Sequence, residues 1–187
     1  MFAFYPVLQK KYTGMFGVFG KFLHIRLGMS PLAVSCLGFL CALIAAFFIF
    51  RLQFAVGLFF LAASLIFDAT DGSIARIYGL ASRSGALIDM IFDRVGEFVL
   101  LLALLKAGLI SITLAAITYF VTLAATAFAH YTGIDFGMRR TALFFGPFLG
   151  FTISLYLTIA AGVCALSVST VKVLLNFSKS SSLRMRG

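Results

Sequence analysis

The chain has 187 residues, 62% of them hydrophobic and 11% charged, with 23 Phe, against about 45–50% apolar and about 25% charged in soluble domains. No water-soluble fold hides that much apolar surface, so a mean hydropathy of +1.10 specifies a polytopic membrane protein and excludes a disordered chain, a disulfide scaffold and a secreted domain. The net charge of +9, from 15 Lys+Arg against 6 Asp+Glu, sits at the ends of apolar runs, which assigns it to anionic headgroups and topology and not to nucleic acid.

Residues 1–30 are expected to form an N-terminal interfacial segment, with a disordered leader as the alternative. Phe2–Leu27 mixes Phe, Tyr, Met and Leu with Lys and Arg, a pattern expected of an amphipathic helix in the headgroup layer. Nothing there resembles a cleavable signal peptide. Ser30-Pro31 then reads as an N-cap and first-turn proline. It opens an apolar run, Pro31–Phe50, that Arg51 ends. Further runs extend from Leu52 to Tyr78, from Gly85 to Leu105 and from Leu109 to Tyr131. After Arg139-Arg140, residues 141–178 are apolar without an obvious break. That is too long for one span and tight for two of about 17–20 residues. A tight turn near Ala160–Val163 is therefore expected, giving an all-α bundle of about six transmembrane helices over residues 31–178. The serine-rich basic tail 179–187 is expected to fray. Cys36, Cys41 and Cys164 lie in apolar runs without metal-ligand spacing and read as ordinary thiols.

Six spans with a cytoplasmic N-terminus give a strongly asymmetric charge distribution. The inner side receives Lys10, Lys11, Lys21, Arg26, Arg76, Arg83, Arg139, Arg140, Lys172, Lys179, Arg184 and Arg186; the outer side receives Arg51 and Lys106. This positive-inside bias places both termini in the cytoplasm of a multi-pass cell-membrane protein.

Five of the six acids, Asp68, Asp71, Asp89, Asp93 and Glu97, fall within the inner halves of spans two and three. A carboxylate at the bilayer centre costs about 2.5–3.5 kcal/mol on insertion scales, so a group of them needs compensation. Asp68 and Asp71 are i, i+3 on one helical face; Asp89, Asp93 and Glu97 are i, i+4, i+8 on another. A short link between Arg76 and Gly85 lets the two faces meet. Converging carboxylates either take up protons or bind cations. All-oxygen ligation by aspartates suits Mg²⁺ or Mn²⁺, and two such ions balance four carboxylates. Interhelical salt bridges are the plainer alternative, but Arg76, Arg83 and Arg94 are too few for five acids. Gly72 and Ala75 keep the helix slim beside the acids, so a substrate could approach its backbone. Arg76 stands one turn further on, where it could hold a phosphate.

In order, these residues are Asp68-x2-Asp71-Gly72-x2-Ala75-Arg76-x8-Gly85-x3-Asp89-x3-Asp93. The pattern resembles, position for position, the signature of the CDP-alcohol phosphotransferase family of integral membrane enzymes. The resemblance implies transfer of a phosphatidyl-type group from a CDP-linked alcohol, usually a CDP-lipid, to an acceptor hydroxyl, with release of CMP. It further implies that Asp68, Asp71, Asp89 and Asp93 ligate two Mg²⁺ or Mn²⁺ ions and that Asp93 also deprotonates the acceptor. Gly72, Arg76, Ser82 and Gly85, with Ser30-Pro31 at the border, would hold the cytidine diphosphate. Leu32 departs from the family, in which Asn or Asp commonly follows this proline. The resemblance also suggests a homodimer.

Arg139-Arg140 could bind an acceptor's phosphate, which slightly favours inositol phosphate; glycerol phosphate and serine stay open. The same pair is also an ordinary positive-inside flank. Glu97 fits a supporting or helix-pairing role, and Asp135 a solvated loop. A divalent-cation channel or carrier is the alternative for intramembrane acids. The acids, however, cluster at one end of two spans and do not continue as a path.

Overall fold

The computed structural model describes residues 16–132 and 143–184. These form two compact units whose boundary falls between Ala107 and Gly108. Among the described residues, every regular element is helical.

The first unit contains α1 (Pro31–Phe50), α2 (Phe54–Ile77) and α3 (Arg83–Lys106). Ser30 caps α1 as its sequence indicates, its Oγ accepting from the Ala33 amide at 3.2 Å. Small residues set the closeness of α1 and α2, which run antiparallel. A Cβ on Gly38 would lie 3.2 Å from Phe67 Cβ, and one on Gly57 2.8 Å from Ile49 Cγ1 and 3.3 Å from the Ala45 carbonyl. Backbone thus meets backbone, a contact that lipid-immersed helices rely on because burial of apolar surface supplies no drive there. On another side α1 meets α3, where the Phe39 and Phe92 rings stack with centroids 4.8 Å apart. The first helix is therefore the centre of the unit, and its neighbours are the two acid-bearing helices.

The link from α2 to α3 is short because both ends are firmly capped. Gly79 has φ +65, a conformation that L side chains rarely adopt. It lets Leu80 N–H return to the Ala75 carbonyl at 2.9 Å, which closes α2. Ser82 then caps α3, accepting from Gly85 N–H at 3.0 Å.

Ahead of α1, Phe22–Arg26 is a π-helical turn. Leu23 packs against Val34 and Ile74, while Val18, Phe22 and Ile25 stay exposed. His24 Nδ1 lies 2.9 Å from the Met29 carbonyl and must be the donor, since a carbonyl only accepts. His24 thus helps close this segment.

The second unit contains α4 (Ile112–Thr132), the short α5 (Gly146–Leu149) and α6 (Phe151–Arg184). It corrects the expected turn near Ala160–Val163: α6 runs unbroken through those residues. Gly162 is a packing residue there, because a Cβ on it would come within 2.6 Å of Val121 Cγ1 on α4. The break lies earlier, at Gly150, whose φ of +89 tolerates no ordinary side chain. α6 also continues through Arg184, so most of the tail expected to fray is helical. At 34 residues and about 1.5 Å per residue it is about 51 Å long, well beyond the hydrocarbon core of about 30 Å.

α4 and α6 run parallel. Val121 meets Gly162, and eleven residues on, Thr132 hydrogen-bonds Ser169 at 3.0 Å while its carbonyl accepts from Lys172. The end of α4 therefore lies beside Lys172 of α6.

Among the described residues, three helices are long and apolar enough to cross a membrane: Pro31–Phe50, Phe54–Ile77 and Phe151–Leu175. Ile112–Phe128 is a shorter apolar helix. The expected six spans are thus too many for the described helices. One reason is that residues 151–175 lie in one continuous helix; another is that α3 carries Asp89, Asp93, Arg94 and Glu97. The protein is an all-α, multi-pass membrane bundle.

Candidate active site

The acids of α2 and α3 converge. One carboxylate oxygen from each of Asp68, Asp71 and Asp89 lies within 4.8 Å of the others. Asp71 is buried at 4% exposure, and the other two are half-buried. Opposite oxygens around Mg²⁺ are about 4.2 Å apart. Adjacent oxygens are only about 2.9 Å apart, so the three carboxylates must draw closer to share one ion; an anionic all-oxygen set suits a hard divalent cation. Asp93, one turn further along α3, stands outside this close set.

Beside the carboxylates is a cavity of about 380 Å³. It draws on three segments that are distant in sequence. Ser30 and Pro31 come from the start of α1; Asp71, Gly72, Ala75 and Arg76 from the end of α2; Ser82, Gly85 and Asp89 from the start of α3. Two helix N-termini thus open onto one cavity with their positive dipole ends. The Arg76 guanidinium is exposed to the same space and lies over Gly72, with Nη1 3.3 Å from where a Cβ would stand. Carboxylates for a cation thus adjoin an arginine and helix ends suited to an anion.

Glu97 is buried at 2% and pairs with Arg94 on its own helix at 2.5 Å. That i, i+3 pair answers for one acid and one of the cations counted near the cluster. Arg139, Arg140 and Asp135 lie outside the described residues.

Ser35 is a site residue that the acid spacing did not reveal. Its Oγ donates to Asp71 Oδ2 across the α1–α2 contact, and it lines the cavity. The available signal was that Ser35 is the only Ser or Thr in Pro31–Phe50.

Residues 29–177 match the family described as CDP-alcohol phosphatidyltransferase. The chain belongs to this family. The match includes all three cavity-forming segments and places the protein among membrane transferases of lipid metabolism. Archaetidylinositol phosphate synthase of Pyrococcus horikoshii is 33% identical over 85 residues. That segment is 45% of this chain and 45% of the relative, so the match spans less than half of either. The fold is similar to that of phosphatidylinositol phosphate synthase from Mycobacterium tuberculosis. Its crystal structure in complex with manganese and citrate gives a TM-score of 0.68 at 19% identity, over 83% of this chain and 87% of that one. The structure with CDP-DAG bound gives 0.65 at 18% identity, over 85% and 91%.

Proposed function

We propose that the protein transfers a phosphatidyl-type group from a CDP-linked lipid to the hydroxyl of inositol phosphate and releases CMP. The observation that carries this reading is the meeting of Asp68, Asp71 and Asp89 at the cavity that Arg76 and two helix N-termini share.

In this reading Asp68, Asp71 and Asp89, joined by Asp93, hold two Mg²⁺ or Mn²⁺ ions. Such ions, when bound, draw charge from the phosphoryl oxygens and from the departing CMP. Arg76 binds the diphosphate, and the slim Gly72–Ala75 face lets it approach α2. The N-terminal ends of α1 and α3, with their positive dipole ends, favour the same anion. Asp93 accepts the proton of the acceptor hydroxyl. The acceptor oxygen bonds to the lipid-side phosphorus, the bond from that phosphorus to the bridging oxygen breaks, and CMP leaves with the electron pair.

Inositol phosphate is chosen because the P. horikoshii and M. tuberculosis proteins are named for inositol phosphate lipids, and because Arg139-Arg140 can meet an acceptor's phosphate. The cytoplasmic orientation follows from charge, taken unit by unit. Arg76 and Arg83 flank the cavity end of the first unit, whereas Arg51 and Lys106 mark the other end. In the second, Lys172 lies beside the end of α4 that precedes Arg139-Arg140, and Lys179 and Arg184 follow it in the sequence. The N-terminal segment lies in the inner headgroup layer, and the active form is a homodimer.

The test is CMP release by the purified chain with Mn²⁺ or Mg²⁺, CDP-diacylglycerol or CDP-archaeol, and a panel of acceptors. Release that requires inositol phosphate is expected. Release with glycerol phosphate or serine alone would overturn the acceptor, and none with any pair would overturn the reaction.

A further inference from the structure

We infer that Ser35 is a positioning residue that holds the Asp71 carboxylate in the orientation needed for a divalent cation; this rests on the metal-dependent reading above. Ser35 is buried at 9% and Asp71 at 4%, and the hydroxyl on α1 donates to Oδ2 on α2. A serine hydroxyl has one proton to give. The other acceptor within reach is the Pro31 carbonyl, 3.1 Å away. The carboxylate is the stronger of the two, because its charge strengthens the bond. One oxygen of Asp71 is thereby anchored and the carboxylate plane cannot turn freely, while lone pairs remain for a cation shared with Asp68 and Asp89.

The anchor also comes from the helix that walls the cavity. Ser30 and Pro31 border that space, and Ser35 lies one turn along from Pro31 on the same rigid element. The position of α1 and the aim of a metal-binding carboxylate are therefore linked by one hydroxyl. Without Ser35, Asp71 would be a buried carboxylate with its cross-helix donor gone. It would rotate toward whichever polar group remained.

The experiment is a Mn²⁺ titration of the full chain in detergent, read from the loss of the free-ion electron paramagnetic resonance signal. It compares wild type, Ser35→Ala and Ser35→Thr, with CMP release measured across the same Mn²⁺ range. Ser35→Ala is expected to weaken Mn²⁺ binding by about tenfold or more, the usual effect of removing a group that orients a metal ligand. Saturating Mn²⁺ should then restore most of its CMP release, which a misfolded variant would not regain. Ser35→Thr, which keeps the hydroxyl, should bind close to wild type. Equal Mn²⁺ affinity in wild type and Ser35→Ala would overturn the positioning role and leave the metal site standing. Absence of Mn²⁺ binding in wild type would instead overturn the metal site itself.

Discussion

The guanidinium of Arg76 lies directly over Gly72, one turn back on α2, with Nη1 3.3 Å from the place a Cβ would occupy. The bare glycine backbone leaves room for the arginine to lie flat beside the cavity. Replacing Arg76 with Ala should raise KM for the CDP-lipid by about tenfold or more, since hydrogen bonds to charged groups contribute about 1.5–3 kcal/mol. Gly72→Ala should raise KM less, because a flexible side chain need shift only slightly. Steady-state CMP release against donor concentration checks both, and an unchanged KM in Arg76→Ala would remove it from the diphosphate site.

The carboxylates should separate into two groups by their effect on metal binding. Asp68→Asn, Asp71→Asn and Asp89→Asn each remove a charge from the close set, and should weaken Mn²⁺ binding by about tenfold or more while also lowering turnover. Asp93→Asn should abolish turnover and yet retain binding of one Mn²⁺ at the other three. Calorimetric titration paired with CMP release distinguishes them. Full turnover in Asp93→Asn would contradict its role as the base.

Much of this site was legible because it follows helical arithmetic. Asp68 and Asp71 share a face, as do Asp89 and Asp93, and serine caps with a short link bring the faces together. Ser30 was recognisable as a cap for the same local reason. Ser35 was not, because its importance lies in what crosses from α1 to α2, and periodicity within either helix says nothing of that contact. The error in the second half had a related cause. Apolar length cannot distinguish a glycine that turns the chain from one that admits a neighbouring helix. Gly150 does the first and Gly162 the second. Counting spans by expected length then placed the turn at the wrong one.

Gly162 accordingly offers a test of the parallel α4–α6 contact. An added methyl would stand 2.6 Å from Val121 Cγ1, so Gly162→Ala should lower stability by about 1–3 kcal/mol through overpacking. The second change Val121→Ala should recover most of that loss. Thermal unfolding in detergent measures both, and additive losses in the double variant would deny the contact.

Arg94 and Glu97 should behave as a structural pair. Arg94→Met removes the 2.5 Å ion pair with the nearly inaccessible Glu97, and should destabilise the fold by about 3 kcal/mol, as loss of one member of a buried pair does. Arg94→Met with Glu97→Leu should be markedly more stable than Arg94→Met alone. Denaturant or thermal scans compare the three, and a double variant as weak as the single would contradict the pairing.

If the Asp68–Asp71–Asp89 cluster serves a CDP-lipid transferase, CMP release must depend on both the divalent ion and Asp89. Wild type and Asp89→Asn would be reconstituted in proteoliposomes with CDP-lipid and inositol phosphate, and CMP measured with Mn²⁺ and again after EDTA. Wild type should show acceptor-dependent CMP release that EDTA removes and added Mn²⁺ restores, with little from Asp89→Asn. Equal release by both proteins, or release indifferent to EDTA, would contradict it.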